Sequence, residues 1–387
     1  MKTQKQLFSL PEDITFLNHA YMAPNLKAVE QAGIKGVSRK NNPIGVTAAD
    51  FFEPVHEIRT LFAKLIDCPQ KERIALAPSV SYGLANAAKN AGLDVGDEII
   101  IVGEQFPSNY YCWETISKEK GAFVTTVSAN ESVSNRGEDW NERILDAIGP
   151  LTRVVAMPMV HWADGTLFDL KAIRKKTKQH NCLLIIDGSQ SIGALPFSVK
   201  EIQPDFLTTV GYKWLLGPYG TAYCYFGPAY DKGRPIEDSW SNRENSDDFT
   251  NLVNYNPNYA EGARRFDVGQ TSNFISLPMM KAALMQILEW GVDNIQNYCR
   301  SINQSVIADL SSLGFKIEDT DFRADHLFGI RLPENVDMSQ VQHALKEQNI
   351  YVSYRGNAIR VSPYMYSTKE DFEQLSEALK KCIPILT

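Results

Sequence analysis

Between Ile74 and Phe226 the chain alternates short, continuously apolar runs with segments of helical pattern. Glu98–Val102, Arg153–Met157 and Leu183–Ile186 lack the in-out alternation of a half-exposed strand, so each reads as a strand buried on both faces. Between the last two lies a helix signature. Asp169 is a good N-cap, Leu170 and Ile173 share a face, and Lys175, Lys176 and Lys178 favour the carboxyl-terminal end. Apolar strands alternating with helices indicate an α/β architecture, a mainly parallel sheet covered on both faces. Ligands of such sheets bind beyond the carboxyl ends of the strands.

Two charged residues occupy positions of that kind. Asp187 follows Leu183–Ile186 and opens Asp187-Gly188-Ser189-Gln190-Ser191. Lys213 follows the apolar Phe206–Val210, sits in Gly211-Tyr212-Lys213-Trp214-Leu215-Leu216-Gly217-Pro218, and precedes the β-prone Thr221–Phe226. A lysine and an aspartate at the ends of buried strands are costly unless partnered. An aldehyde cofactor with a basic ring nitrogen would partner both. Pyridoxal 5′-phosphate (PLP) forms a Schiff base with lysine, and an acidic side chain keeps its pyridine nitrogen protonated.

At 387 residues the chain can bury a large core and is expected to divide into two domains. The formal net charge of −7 argues against nucleic acid or an anionic membrane as the main partner. No apolar run is long enough to span a bilayer, and the first residues lack a signal-peptide core, so a cytoplasmic location is the expectation. The cysteines are scattered without a CxxC pair, and Cys182 and Cys224 read as small core residues. The histidines form no HExxH, so no metal site is expected. From about Pro278 two long helical patterns, then short strands and helices, suggest a small α+β domain over 278–387. A large domain would span 21–277, and residues 1–20 would form a segment packing near the active site. Gly227–Phe266, rich in Asn, Asp, Pro and Gly, reads as a long surface excursion.

The order of these motifs resembles the class V aminotransferase group of fold-type I PLP enzymes, which includes cysteine desulfurases, kynureninases and isopenicillin N epimerase-like proteins. The likeness runs from Phe16-Leu17-Asn18-His19-Ala20 to Arg360. It is most specific at Asp187-Gly188-Ser189-Gln190 and at Gly211-Tyr212-Lys213 with Gly217 and Gly220. It implies that Lys213 carries the cofactor and moves the substrate Cα proton. Asp187 would pair with the pyridinium nitrogen, and Gln190 would meet the phenolic oxygen. Ser79, Val80 and Ser81, a loop entering a helix, would hold the phosphate, an anion suited to a helix N-terminus. Tyr212 would touch it too, where relatives carry His, Gln or Arg. Phe106 would stack on the ring. Trp162 replaces an Asn common in relatives, leaving His161 or Asp164 as stand-ins. Arg360 would grip the substrate carboxylate as a bidentate fork, with Asn18 and Ala20 closing over it. Thr271 would reach the phosphate of a neighbouring subunit, which requires a homodimer.

The reaction is less determined. Desulfurases that form persulfides need a cysteine shortly before the carboxylate-binding arginine, and Ser353-Tyr354-Arg355-Gly356-Asn357-Ala358 has none. Aminotransferase action on the α-amino group of a small amino acid is the leading expectation, with epimerase and C–S lyase as alternatives and a non-catalytic PLP-binding protein as a minor one. Epimerisation would call for a second base, for which Tyr354, Arg355 and His19 are candidates.

Overall fold

The computed structural model describes residues 1–383. The chain opens with strand β1 (Thr15–Phe16) and helices α1 (Lys27–Ser38) and α2 (Ala49–Leu65). An alternating series follows: β2 (Ile74–Ala77), α3 (Val80–Lys89), β3 (Glu98–Val102), α4 (Ser108–Lys120), β4 (Phe123–Val127) and α5 (Arg136–Ala147). It continues through β5 (Thr152–Pro158), α6 (Leu170–Gln179), β6 (Leu183–Asp187), α7 (Val199–Ile202), β7 (Phe206–Val210) and β8 (Ala222–Phe226). Helices α8 (Ser276–Trp290) and α9 (Val292–Ser312) lead to β9 (Phe328–Arg331) and α10 (Met338–Glu347). Strands β10 (Ile350–Tyr351), β11 (Ser353–Arg355) and β12 (Ala358–Val361) precede α11 (Lys369–Lys381).

The large sheet has the order β2-β8-β7-β6-β5-β3-β4. Strands β4, β3, β5, β6 and β7 pair in parallel, and β8 runs antiparallel to both of its neighbours. Successive side chains of a strand point to opposite faces. Ile99 and Ile101 accordingly join one core with Leu84 and Trp113, whereas Ile100 and Val102 join the other with Ile144 and Ile173. Two cores explain the continuous apolar pattern. Full burial of each such side chain stabilises by roughly 1.5–3 kcal/mol relative to exposure.

A second, antiparallel sheet has the order β11-β12-β9, and β1 pairs in parallel with β10. The segment Ile350–Ser353 is therefore divided between two sheets. Ile350 and Tyr351 pair with the N-terminal Thr15 and Phe16, while Ser353 turns to face Arg360. Helix α11 starts with a reciprocal cap between Thr368 and Asp371. The Gly227–Phe266 excursion forms short 3-10 turns, and its end is not a surface feature. Phe266 is buried, and buried Asp267 accepts from the Leu76 amide at 2.8 Å and pairs with Arg59, fastening the excursion to β2. No helix of the described residues is long and apolar enough to cross a membrane.

Because β3, β5, β6 and β7 are neighbours, their carboxyl ends bring Glu104–Phe106, Trp162, Asp187–Gln190 and Gly211–Lys213 together. Helix α3 reaches the same edge through a close approach to the sheet. A Cβ at Gly83 would lie 2.5 Å from Cys224 Sγ and 3.1 Å from Thr208 Oγ1. We expect Gly83→Ala to destabilise the fold by about 1–3 kcal/mol through overpacking. A chemical denaturation midpoint equal to that of the wild type would contradict this packing.

Candidate active site

The carboxyl-edge loops and the first residue of α3, Val80, enclose a small cavity of about 40 Å³. Of the residues singled out in the sequence, Val80, Phe106, Trp162, Asp187, Gln190, Tyr212 and Lys213 line it. Gln105 and Ser189 line it too, although the sequence reading gave them no role. Both are polar residues just past the carboxyl end of a buried strand, a signal that could have singled them out. A left-handed turn at Glu104 (φ +49°) redirects the chain after β3, and the Glu104 carbonyl accepts from Trp162 Nε1 at 2.7 Å.

Lys213 is held by the tight loop that joins β7 to β8. The Gly211 amide donates to the Thr221 carbonyl and the Gly217 amide to the Gly211 carbonyl, both at 2.8 Å. Any Cβ at Gly211 would fall 2.1 Å from Thr221 Oγ1, so only glycine fits there. The side chain of Lys213 is buried, at 8% exposure, with Nζ 5.7 Å from the ring centroids of both Phe106 and Tyr212. Burial lowers its pKa to about 8; the Asp187 charge opposes that shift, and Arg360 and Arg355 add to it. Asp187, at 6% exposure, accepts from the Ser189 amide at 3.0 Å. Burial pushes its carboxyl above the usual range, against the pull of Ser189 and the Lys213 charge.

Arg360 is 2% exposed. Its Nη1 donates to the Trp162 carbonyl at 2.7 Å and its Nη2 to Ser353 Oγ at 3.2 Å, while Nε is buried without an acceptor. Burial, reinforced by Arg355, lowers its pKa to about 9. Ser353 Oγ passes its own proton to Asn18 Oδ1 at 2.7 Å, so Asn18 reaches Arg360 through a serine that the sequence reading did not single out. Ala20 donates its amide to Ser362 Oγ at 3.0 Å and accepts from Gln190 Nε2 at 3.2 Å. The other Gln190 amide atom, Oε1, takes the Trp214 Nε1 proton at 2.9 Å.

Several expected groups are engaged elsewhere. Ser79 caps α3, its hydroxyl oxygen accepting from the Tyr82 amide at 3.1 Å, and Ser81 donates to Ser108 Oγ at 2.9 Å. Neither His161 nor Asp164 stands in at the cavity wall. His161 spans the Gly103 carbonyl and Asp164, both at 3.2 Å, and Asp164 pairs with Arg136 at 2.9 Å and Arg331 at 2.6 Å. Burial alone would raise the Asp164 pKa, but the His161 bond and the two guanidinium charges hold it well below the usual range. His19 is no free base either. Its Nε2–H must donate to the Lys213 carbonyl at 3.3 Å, so Nδ1 accepts from Tyr366 OH at 3.2 Å. Burial lowers its pKa to about 3. Thr271 lies outside the cavity of its own chain.

These residues fit PLP. The cavity offers a buried amine without an ion-pair partner among the described residues, a buried carboxylate for a ring nitrogen, and the first turn of α3 for a phosphate. Comparison with known proteins agrees. A family profile described as aminotransferase class-V matches residues 35–375. The chain is 27% identical over 328 residues to an uncharacterised aminotransferase, YcbU, of Bacillus subtilis, covering 84% of this chain and 83% of that one. It is 25% identical to isopenicillin N epimerase of Amycolatopsis lactamdurans over 80% of each chain. In structure it resembles the cystine C–S lyase C-DES bound to its product cysteine persulfide, with a TM-score of 0.85 and 20% identity over 96% of this chain and 99% of that one. A C-DES variant with glycine linked to its PLP cofactor gives a TM-score of 0.86 at 20% identity, over 97% of this chain and 98% of that one.

The depressed Lys213 pKa has a direct readout. Competitive acylation of the cofactor-free protein should modify Lys213 with a midpoint near pH 8, far below the ordinary value of 10.5. In that interval the folded state binds fewer protons than the unfolded one, so this group's contribution to stability improves as pH rises from about 8 to 10.5. A Lys213 midpoint above 10, like that of a surface lysine, would contradict the burial argument.

Proposed function

This chain belongs to the class V aminotransferase family of PLP-dependent enzymes, and from that membership we propose that it is an aminotransferase acting on the α-amino group of a small amino acid, with Lys213 as the cofactor-bearing residue. The observation that carries this reading is the buried Lys213 amine, which feels the charges of Asp187 and of buried Arg360, an arginine with no carboxylate partner among the described residues. The chemistry PLP supplies when bound is an aldehyde that takes up amines and a pyridine ring that withdraws electrons from Cα.

The protein's own groups divide the remaining work. With a pKa of about 8, Lys213 Nζ can both take and return a proton near neutral pH, as a general acid/base at Cα requires. Asp187, buried and hydrogen-bonded on one oxygen, keeps acceptor capacity for a protonated ring nitrogen. The free Nε–H of Arg360, together with an Nη that lets go of Ser353, suits a bidentate grip on the α-carboxylate. That grip orients the Cα–H bond toward Lys213. Phe106, Trp162 and Val80 wall the cavity with apolar surface.

Transamination needs one proton-transfer group on one face. Epimerisation needs a second on the other, and the candidates for it are weak. His19 has both ring nitrogens engaged, the Arg355 guanidinium carries donors and no acceptor, and burial pushes the Tyr354 hydroxyl above its ordinary value. β-Elimination at a sulfur amino acid is the second reading, since it draws on the same Lys213, Asp187 and Arg360. We also propose that the active enzyme is a homodimer in which Thr271 of one copy meets the cofactor of the other.

With cofactor loaded, a panel of L-amino acids should yield the keto acid and the pyridoxamine form of PLP. Pyruvate and sulfide from cysteine would favour elimination instead, and solvent deuterium at Cα without keto acid would favour epimerisation. Arg360→Ala is expected to raise KM for the amino acid roughly a hundredfold, the scale of losing one charge-assisted carboxylate contact. An unchanged KM would remove Arg360 from the carboxylate site.

A further inference from the structure

Strands β11 and β12 form a hairpin that brings two arginines to one residue, Trp162. Arg360 donates to the Trp162 carbonyl at 2.7 Å, and the Arg355 guanidinium carbon lies 5.4 Å from the centroid of the Trp162 ring. Arg360 is buried and Arg355 half-buried, and the remaining buried arginines are neutralised. Arg59 pairs with Asp267, Arg136 with Asp164 and Glu318, and Arg323 with Asp325. The hairpin arginines have no such partner among the described residues. Arg355 Nη1 donates only to the carbonyl of its neighbour Tyr354 at 2.7 Å, and its Nε is buried without an acceptor.

Two guanidinium groups beside a lysine repel one another unless anions arrive. Each of them disfavours the charged form of Lys213, and Arg355 does the same to Arg360. Asp187 is the one carboxylate lining the cavity, and it lies at its sheet edge rather than on the hairpin. A monocarboxylic amino acid would satisfy Arg360 and leave Arg355 without a counter-charge. We infer that Arg355 receives a second carboxylate, so that the substrate is an amino acid with an acidic side chain. Arg360 then holds the α-carboxylate and Arg355, steadied on the Trp162 ring, selects the distal one. This inference rests on the reading of Lys213 and Arg360 given above and adds the substrate class to it.

The isosteric pairs L-aspartate with L-asparagine, and L-glutamate with L-glutamine, isolate the charge. Each is titrated into the cofactor-loaded enzyme while the visible absorbance is followed. At least one acid should bind roughly ten- to a hundredfold more tightly than its amide, as one charge-assisted contact implies. Arg355→Gln should abolish that preference and Arg355→Lys should keep part of it. Equal binding of acid and amide by the wild type overturns the inference and leaves the proposed function standing. So does an Arg355→Gln variant that loses cofactor but keeps the preference, because Arg355 would then serve the cofactor phosphate. An absorbance unmoved by any of the four, or by L-alanine, overturns both. The wild-type comparison decides the matter even if a variant fails to fold.

Discussion

Burying a lysine amine at the carboxyl edge of the large sheet creates the demand that the surrounding structure answers. Desolvation works against the charge on Lys213, and only Asp187 within the cavity favours it. Such a group persists because the rest of the fold over-determines its place. Its loop is closed by backbone bonds at Gly211 and Gly217, and its carbonyl takes the His19 proton. A sheet buried on both faces gives that loop a rigid base.

The same logic extends to the second sheet. The Asn18–Ser353–Arg360 chain of hydrogen bonds and the Trp162 carbonyl tie β12 to the N-terminal segment and to the loop after β5. The Asp164 network, with Arg136 and Arg331, fixes that loop from behind. Gly165 adds a contact of another kind. At φ +76°, its position for a Cβ lies 2.2 Å from the Leu327 carbonyl oxygen, so backbone meets backbone with no room for a side chain. The distance between Arg360 and Lys213 is therefore governed in part by contacts that touch neither.

Much of this was legible in the sequence, for physical reasons. A strand buried on both faces announces itself as an unbroken apolar run, as at Leu183–Ile186, and Asp169 signals a helix start through its side-chain acceptor. Asp187 and Lys213 stood out because a charge at the end of such a run is expensive. What could not be read depends on contacts between distant residues. The split of Ile350–Ser353 between two sheets is decided by Thr15 and Arg360, and the engagement of Asp164 by Arg136 and Arg331. His19 looked like a base because its spacing says nothing of Tyr366 and the Lys213 carbonyl. Arg355 was visible as a cation, but only the hairpin geometry reveals that no described residue neutralises it.

The most direct test of the account is to reduce the cofactor-loaded protein with borohydride and map the modified peptide by mass spectrometry. A pyridoxyl adduct on the ε-nitrogen at position 213, with every other lysine unmodified, is the predicted result. An adduct on a different lysine, or none while the visible absorbance of bound cofactor persists, would contradict it.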